Sequence, residues 1–133
     1  MIRLLRKLNR SGFSLIELMI VMSIVGILAA ISVPNYRWGL IKANEAVLRE
    51  NLYTFRSTID QFYADQGKYP ENLEELKTKG YLREIPKDPF TGKDDWVTIA
   101  PAATADGSAP GGGVYDVHSS SNLIGSKGPY NEW

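Results

Sequence analysis

The first third of the chain contains a long, almost uninterrupted run of apolar residues. From Phe13 to Val33 there are 21 residues, and Glu17 is the only charged one among them. A helix of this length, at about 1.5 Å per residue, is roughly 31 Å long and matches the ~30 Å hydrocarbon core of a bilayer. The pattern therefore predicts a helix that can span a membrane. An acidic residue near the centre of such a span costs about 2.5 to 3.5 kcal/mol, and less toward an end, which indicates a function or a partner for Glu17.

Beyond Pro34 the pattern changes from uniformly apolar to amphipathic. Positions spaced by three or four residues form one stripe of a 3.6-residue helix, and the charged residues fall largely off it. Gly67 is a plausible stop, so this helix is predicted to end near Gln66. The stripe comprises Leu40, Asn44, Leu48, Leu52, Phe55, Ile59 and Phe62. The charged residues are Arg37, Lys42, Glu45, Arg49, Glu50, Arg56 and Asp60.

Residues 67–133 have few long apolar runs and are too short to build a generous core alone. Residues 71–79 predict a short helix, and residues 96–100 and 114–118 predict two short strands. The alanine-, glycine- and proline-rich stretch 101–113 predicts an exposed connection between the strands. We therefore expect an α+β fold in which the long N-terminal helix packs on a small antiparallel β-sheet.

Charge and cysteine content narrow the functional classes. The formal net charge is zero, so nothing favours a nucleic-acid partner, and the absence of cysteine excludes a disulfide framework and Cys-based zinc chemistry. Residues 1–12 nevertheless carry four basic side chains and no acidic one. A basic segment before an apolar run predicts insertion with the N-terminus in the cytoplasm.

Three interpretations fit this N-terminal region. A simple membrane anchor explains the apolar run but not Glu17. A cleaved secretory signal with a cut near residues 27–30 would need an unusually long apolar region containing an acid. The third takes Arg10-Ser11-Gly12, Phe13-Ser14-Leu15-Ile16-Glu17 and the helix up to Pro34 together. This stretch resembles the class III signal of type IV prepilins and type II secretion pseudopilins.

The resemblance implies a specific maturation. A membrane-embedded prepilin peptidase would cut between Gly12 and Phe13 and methylate the new N-terminus at Phe13. Glycine has no Cβ and can lie closely in a peptidase groove. Cleavage would leave a cationic amine four residues from Glu17, and the family resemblance implies that Glu17 of one subunit pairs with the Phe13 amine of a neighbour during filament assembly. Paired, the two charges offset costs that each would carry alone.

Gly26 and Pro34 bracket a weak section of the helix. Glycine costs about 1 kcal/mol relative to alanine, and proline removes an amide donor and clashes with the preceding turn. We expect a kink or local melting between them, and the resemblance implies an unwound section in the assembled filament. An ordinary proline kink in a membrane helix is the alternative.

The second half of the sequence resembles the major pseudopilin of type II secretion systems, through Gly67-Lys68-Tyr69-Pro70, Tyr81-Leu82 and Pro86-Lys87-Asp88-Pro89-Phe90. The implied organisation is a leader (1–12), a transmembrane and filament-core helix (13–34), an amphipathic helix (35–66) and a globular region (67–133) in a pilin-like fold. The implied partners are further copies of the chain, minor pseudopilins, the prepilin peptidase, an inner-membrane platform protein and an assembly ATPase. The globular region would lie in the periplasm. A surface type IV pilin is the neighbouring alternative, and a monomeric membrane-anchored binding module is a more distant one.

Major pseudopilins often bind calcium through an aspartate-bearing C-terminal loop, and this chain departs from that pattern. Residues 119–132 contain no aspartate and include Lys127, which argues against a cation-seeking loop. We expect a loop held by its own hydrogen bonds and by packing of Trp133, without a cofactor. If calcium does bind, its candidate ligands are Asp116, Ser119, Asn122 and Glu132.

No catalytic constellation can be assembled from the sequence. His118 is the only histidine, and it has no evident nucleophile or second histidine to work with. The glycines at 111–113 are followed by neither the lysine nor the helix that a phosphate loop requires. We therefore expect a structural protein rather than an enzyme.

Overall fold

A computed structural model describes residues 11–133, so most of the predicted leader, residues 1–10, lies outside the described residues. The helices are α1 (Leu15–Gln66) and α2 (Leu73–Thr78), and a 3-10 turn follows at Tyr130–Glu132. The strands are β1 (Val97–Ile99), β2 (Asp116–His118), β3 (Ile124–Gly125) and β4 (Gly128–Pro129). Strand β1 pairs antiparallel with β2, and β3 pairs antiparallel with β4. The α+β fold with a long N-terminal helix and small antiparallel sheets is confirmed.

The chain divides into two compact units, Met1–Gly39 and Leu40–Trp133, here called the N-terminal and the C-terminal unit. In the N-terminal unit every described residue is exposed, and from Leu15 onward all are helical. Pro34 lies inside α1, and the helix is assigned without interruption from Gly26 through Pro34. The local melting expected there is thus not present in the single chain, because the helical bonds of neighbouring turns survive the loss of one amide donor. A bend, and unwinding in a filament, stay predictions.

The core of the C-terminal unit is built on the apolar stripe of α1. Leu48, Phe55, Ile59 and Phe62 are each 0% exposed, which confirms the helical periodicity for these positions. Full burial of such side chains contributes about 1.5 to 3 kcal/mol each. The side chains that complete this core come from α2, the strands and the loops: Leu73, Leu76, Leu82, Trp96, Val114, Val117 and Tyr130.

Two positions on α1 differ from the predicted stripe. Leu40 was expected on the buried face but is 47% exposed. Glu45 was expected off the stripe and is only 5% exposed. The second expectation was wrong because a carboxylate can occupy a buried position when polar groups of another segment donate hydrogen bonds to it.

The short elements lie where they were predicted but are shorter. Helix α2 begins two residues late because Asn72 is its N-cap, and its side chain accepts a hydrogen bond from the Glu75 amide at 2.9 Å. Strands β1 and β2 have three residues each, and Val97 lies opposite His118 in their register. Gly112 has a φ of 105°, and a Cβ there would overlap the backbone of Tyr69. This close approach fixes the end of the long connection against the start of the globular part.

Candidate functional site

The segment predicted to be processed lies just before α1. Residues 11–14 are non-helical and exposed, and the Phe13 side chain is 88% exposed. The peptide bond between Gly12 and Phe13 is therefore outside the helix and exposed, so a peptidase can reach it. A Cβ on Gly12 would meet no atom of residues 11–133 within 4 Å, so the packing of that part of the chain does not require glycine there.

Helix α1 begins with a side-chain cap that sequence analysis missed. The Glu17 amide donates to Ser14 Oγ at 3.3 Å, and the Leu18 amide donates to the Ser14 carbonyl at 3.2 Å. Ser14 is thus the N-cap and Glu17 the third helical residue, the spacing of a capping box. The signal was present in the sequence as Ser-x-x-Glu directly before an apolar run.

The Glu17 side chain lies close to the bond predicted to be cut. Ser11, Gly12, Phe13 and Glu17 line one pocket of about 280 Å³. Within residues 11–133 the Glu17 carboxylate makes no hydrogen bond and no ion pair. An exposed carboxylate in the first helical turn is stabilised by the positive end of the helix dipole, and it stays available to a cationic partner.

The N-terminal unit presents a continuous apolar surface. Its large apolar residues from Leu15 to Val33 are each more than half exposed, including Ile16 at 66%, Met22 at 65% and Ile27 at 61%. Helix α1 is long and apolar enough near the N-terminus to cross a membrane. A surface of this size and composition needs lipid or other apolar helices around it.

A second polar site lies in the C-terminal unit, where the Glu45 carboxylate meets the C-terminal loop. It accepts three hydrogen bonds, from the Ser126 amide at 3.1 Å, the Ser126 hydroxyl at 2.8 Å and the Tyr130 hydroxyl at 2.9 Å. Burial opposes ionisation, yet these hydrogen bonds and the nearby Arg49 hold the pKa of Glu45 below its ordinary value. Burial, together with the bond to Glu45, raises the pKa of Tyr130 to about 12. Tyr130 thus stays a neutral donor and Glu45 an ionised acceptor at neutral pH.

A second buried carboxylate holds the start of the same loop. Asp88 is 0% exposed and accepts hydrogen bonds from the Ser119 hydroxyl and, at 2.8 Å, from the Phe90 amide. Ser119 in turn accepts from the Ser121 amide at 3.1 Å. The loop is therefore attached at both ends to carboxylates that lie outside it.

The four calcium candidates are engaged in other ways. Asp116 pairs with Arg56 at 2.8 Å and with His118 Nε2 at 3.4 Å, while Ser119 donates to Asp88. Asn122 and Glu132 are exposed. Among residues 11–133 no three His, Cys, Asp or Glu side chains are grouped so that they could hold a metal ion.

His118 is part of the packing around Trp133. Its Nδ1 lies 2.7 Å from the Trp133 carbonyl, which also accepts from Arg56 at 2.7 Å. Trp133 packs edge-on against Tyr130 with ring centroids 5.1 Å apart. The expected packing role of Trp133 is confirmed, and the loop makes hydrogen bonds of its own, such as that from the Leu123 amide to Ser121 Oγ at 3.4 Å. The sequence analysis did not predict that Glu45 and Asp88 also hold the loop from outside.

Comparison with known proteins adds sequence relatives. The family profile for the prokaryotic N-terminal methylation motif matches residues 7–33. The chain is 31% identical over 113 residues to type II secretion system core protein G of Klebsiella michiganensis, covering 73% of this chain and 78% of that protein. The protein of the same name from Vibrio cholerae is 29% identical over 113 residues, covering 74% and 77%.

The chain is also similar, over a shorter stretch, to a type IV pilin. A type IV major pilin protein of Neisseria gonorrhoeae is 45% identical over 65 residues, which is 47% of this chain and 38% of the pilin. No solved structure matches the chain significantly.

Proposed function

This chain belongs to the family of type II secretion system core protein G, and on that premise we propose that it polymerises into the pseudopilus that drives protein export across the outer membrane. The chain is a major pseudopilin, a structural subunit. The observation that supports the proposal is the exposed apolar helix of the N-terminal unit, most of which lies within the matched methylation motif. In the monomer, such a helix lies in the membrane. In the filament, it is surrounded by identical helices of other subunits.

Maturation creates the assembly-competent subunit. Prepilin peptidase cuts between Gly12 and Phe13, in the non-helical exposed segment, and methylates the Phe13 amine. Ser14 keeps its capping role after the cut because it lies on the mature side. The mature helix then begins two residues after its own cationic N-terminus.

Glu17 selects the neighbour. Its carboxylate has no partner within residues 11–133, and among apolar helices an unpaired carboxylate and an unpaired ammonium would each be costly. The free energy of adding a subunit is therefore most favourable where the Phe13 amine of the incoming subunit reaches Glu17 of the preceding subunit. The ion pair sets the position of each subunit relative to its neighbour, while the apolar surface supplies most of the contact area.

The orientation of the chain in the membrane follows from the positive charge of the leader, residues 1–12. Four basic residues before the apolar run keep the N-terminus in the cytoplasm and place the C-terminal unit in the periplasm. Assembly from the inner membrane then requires a platform protein and an ATPase on the cytoplasmic side, and minor pseudopilins as further filament partners.

Variants at Glu17 test the assembly role against a role in the membrane. Glu17→Leu removes the insertion penalty and should enter the membrane and be processed at least as well as the wild type, yet it should form no filaments. Glu17→Asp keeps the charge with a shorter reach and should retain partial assembly. Mass spectrometry should find N-methylated Phe13 at the start of the mature chain in all three proteins. Normal filaments from Glu17→Leu would refute the pairing.

A surface type IV pilus is the second candidate, supported by the 45% identity to the gonococcal pilin over 65 residues. Deleting the gene separates the two. Loss of secreted proteins with surface fibres unchanged supports the pseudopilus, whereas loss of fibres and twitching with secretion intact supports the pilus.

A further inference from the structure

The C-terminal loop, residues 119–132, is the place where relatives of this kind are expected to need a cation, and its donor set does not fit one. Calcium requires six to eight oxygen ligands, preferably with carboxylates among them. Here the hydroxyls of Ser119 and Ser126 donate their protons to carboxylates, and Asp116 is paired with Arg56. No buried side-chain nitrogen or oxygen in the described chain lacks a hydrogen-bond partner, so the interior of the loop holds no unpaired side-chain oxygen for an ion.

We infer that the Glu45 carboxylate takes the place of a cation in this loop and closes it without metal. A calcium ion would draw oxygen acceptors of a loop together around a positive charge. Glu45 works with the opposite charge: its negative carboxylate on α1 draws hydrogen-bond donors of the loop together. These donors are the Ser126 amide, the Ser126 hydroxyl and the Tyr130 hydroxyl. Asp88 does the same at the other end of the loop with Ser119.

The local packing is built around this contact. The Tyr130 ring is stacked on Phe90 with centroids 3.8 Å apart, and Tyr130 is 2% exposed. A Cβ at Gly125 would overlap the Tyr130 ring, so the strand β3 lies directly on the residue that bonds to Glu45. The absence of a side chain at Gly125 therefore leaves room for the ring whose hydroxyl donates to Glu45.

The positive charges near this contact favour a carboxylate over a metal ion as the group that closes the loop. Lys127 follows Ser126 directly, and Arg49 is one turn from Glu45 on α1, with its Nε 3.5 Å from the Glu45 carbonyl. Both cations would repel calcium, and Arg49 favours an ionised Glu45. The inference concerns the single chain and does not depend on the proposed filament.

Calcium dependence of the full chain in detergent is the direct test. The melting temperature should be the same in excess chelator and in millimolar calcium, and titration with calcium chloride should release no binding heat. A calcium-dependent rise of several degrees would overturn the inference. This measurement needs no variant, so it stays decisive even if a substitution prevents folding.

Hydrogen exchange of the Glu45→Gln variant tests the carboxylate itself. We expect at least about tenfold faster exchange at the Ser126 amide and throughout the loop, with no recovery on adding calcium. Glu50→Gln is the matched control, because Glu50 lies on the same helix, is exposed and makes no hydrogen bond or ion pair in the described chain. Exchange in Glu45→Gln equal to that in Glu50→Gln, or rescue of Glu45→Gln by calcium, would each contradict the proposal.

Discussion

Removing only the Tyr130 hydroxyl is the sharpest perturbation of the contact with α1. Tyr130→Phe keeps the ring that stacks on Phe90 and removes the donor 2.9 Å from the Glu45 carboxylate. A hydrogen bond to a charged group contributes about 1.5 to 3 kcal/mol, and Glu45 keeps its two bonds from Ser126, so we expect a loss of about 2 kcal/mol. For a domain of this size that corresponds to a fall in melting temperature of roughly 8 to 16 °C.

Urea unfolding of the full chain in detergent measures this loss, and Tyr81→Phe is its control. The Tyr81 hydroxyl also donates to a carboxylate, Asp65, at 2.8 Å, but that pair is exposed. The same substitution there should cost no more than about 0.5 kcal/mol. Equal losses for the two variants would refute the claim that the buried carboxylate makes the difference.

The dependence of this loss on pH provides a second check. The folded-state pKa of Glu45 lies below the ordinary value of 4.5, so its stabilising contribution is complete above that ordinary value and is lost as pH falls through the folded-state value. Tyr130 stays protonated, since its pKa is raised to about 12. The cost of Tyr130→Phe should therefore be full at pH 7 and should shrink toward about 1 kcal/mol in acid, where Glu45 is neutral. A cost that does not change with pH would contradict an ionised acceptor.

Three further predictions concern other parts of the chain. Gly125→Ala should destabilise the C-terminal unit by about 1 to 3 kcal/mol in urea unfolding, because its Cβ overlaps the Tyr130 ring, whereas Gly39→Ala, with open space around it, should be neutral or stabilising by up to about 1 kcal/mol. Arg56→Lys should lower stability by only about 1 kcal/mol, with the loss smaller in high salt, since the pair with Asp116 is partly exposed; a loss that salt leaves unchanged would speak against an ion pair. Cryo-electron microscopy of the filament should show non-helical backbone between Gly26 and Pro34, and a helix that continues through both residues would contradict this.

Periodicity predicted most of the fold because burial of apolar side chains decides it. Leu48, Leu52, Phe55, Ile59 and Phe62 follow helical spacing and are all buried. Strands β1 and β2 and helix α2 were placed correctly, although most of their ends were not, since caps and turns fix those ends, and β3 and β4 were not predicted. The Gly12, Phe13 and Glu17 assignments come from a resemblance and stay predictions until the mature chain is sequenced.

Glu45 was missed because it was judged by residue type instead of by register. It lies three residues before Leu48, in phase with the buried stripe, and that phase is a signal for a buried carboxylate. Its partners, Ser126 and Tyr130, are more than eighty residues away and could not be inferred from local pattern. From the sequence, Asp88 likewise looks like an ordinary residue of a proline-rich turn. Its hydrogen bond with Ser119, 31 residues later, is visible only in the structure.

The separation between Glu45 and Tyr130, 85 residues along the chain, has a consequence for biosynthesis. The carboxylate is synthesised first, and its three donors follow only after 81 to 85 further residues. A chain that stops before Ser126 has to bury Glu45 without a partner or leave that part of α1 open, and either outcome destabilises it. The contact therefore makes the stability of this part of α1 depend on synthesis having passed Tyr130.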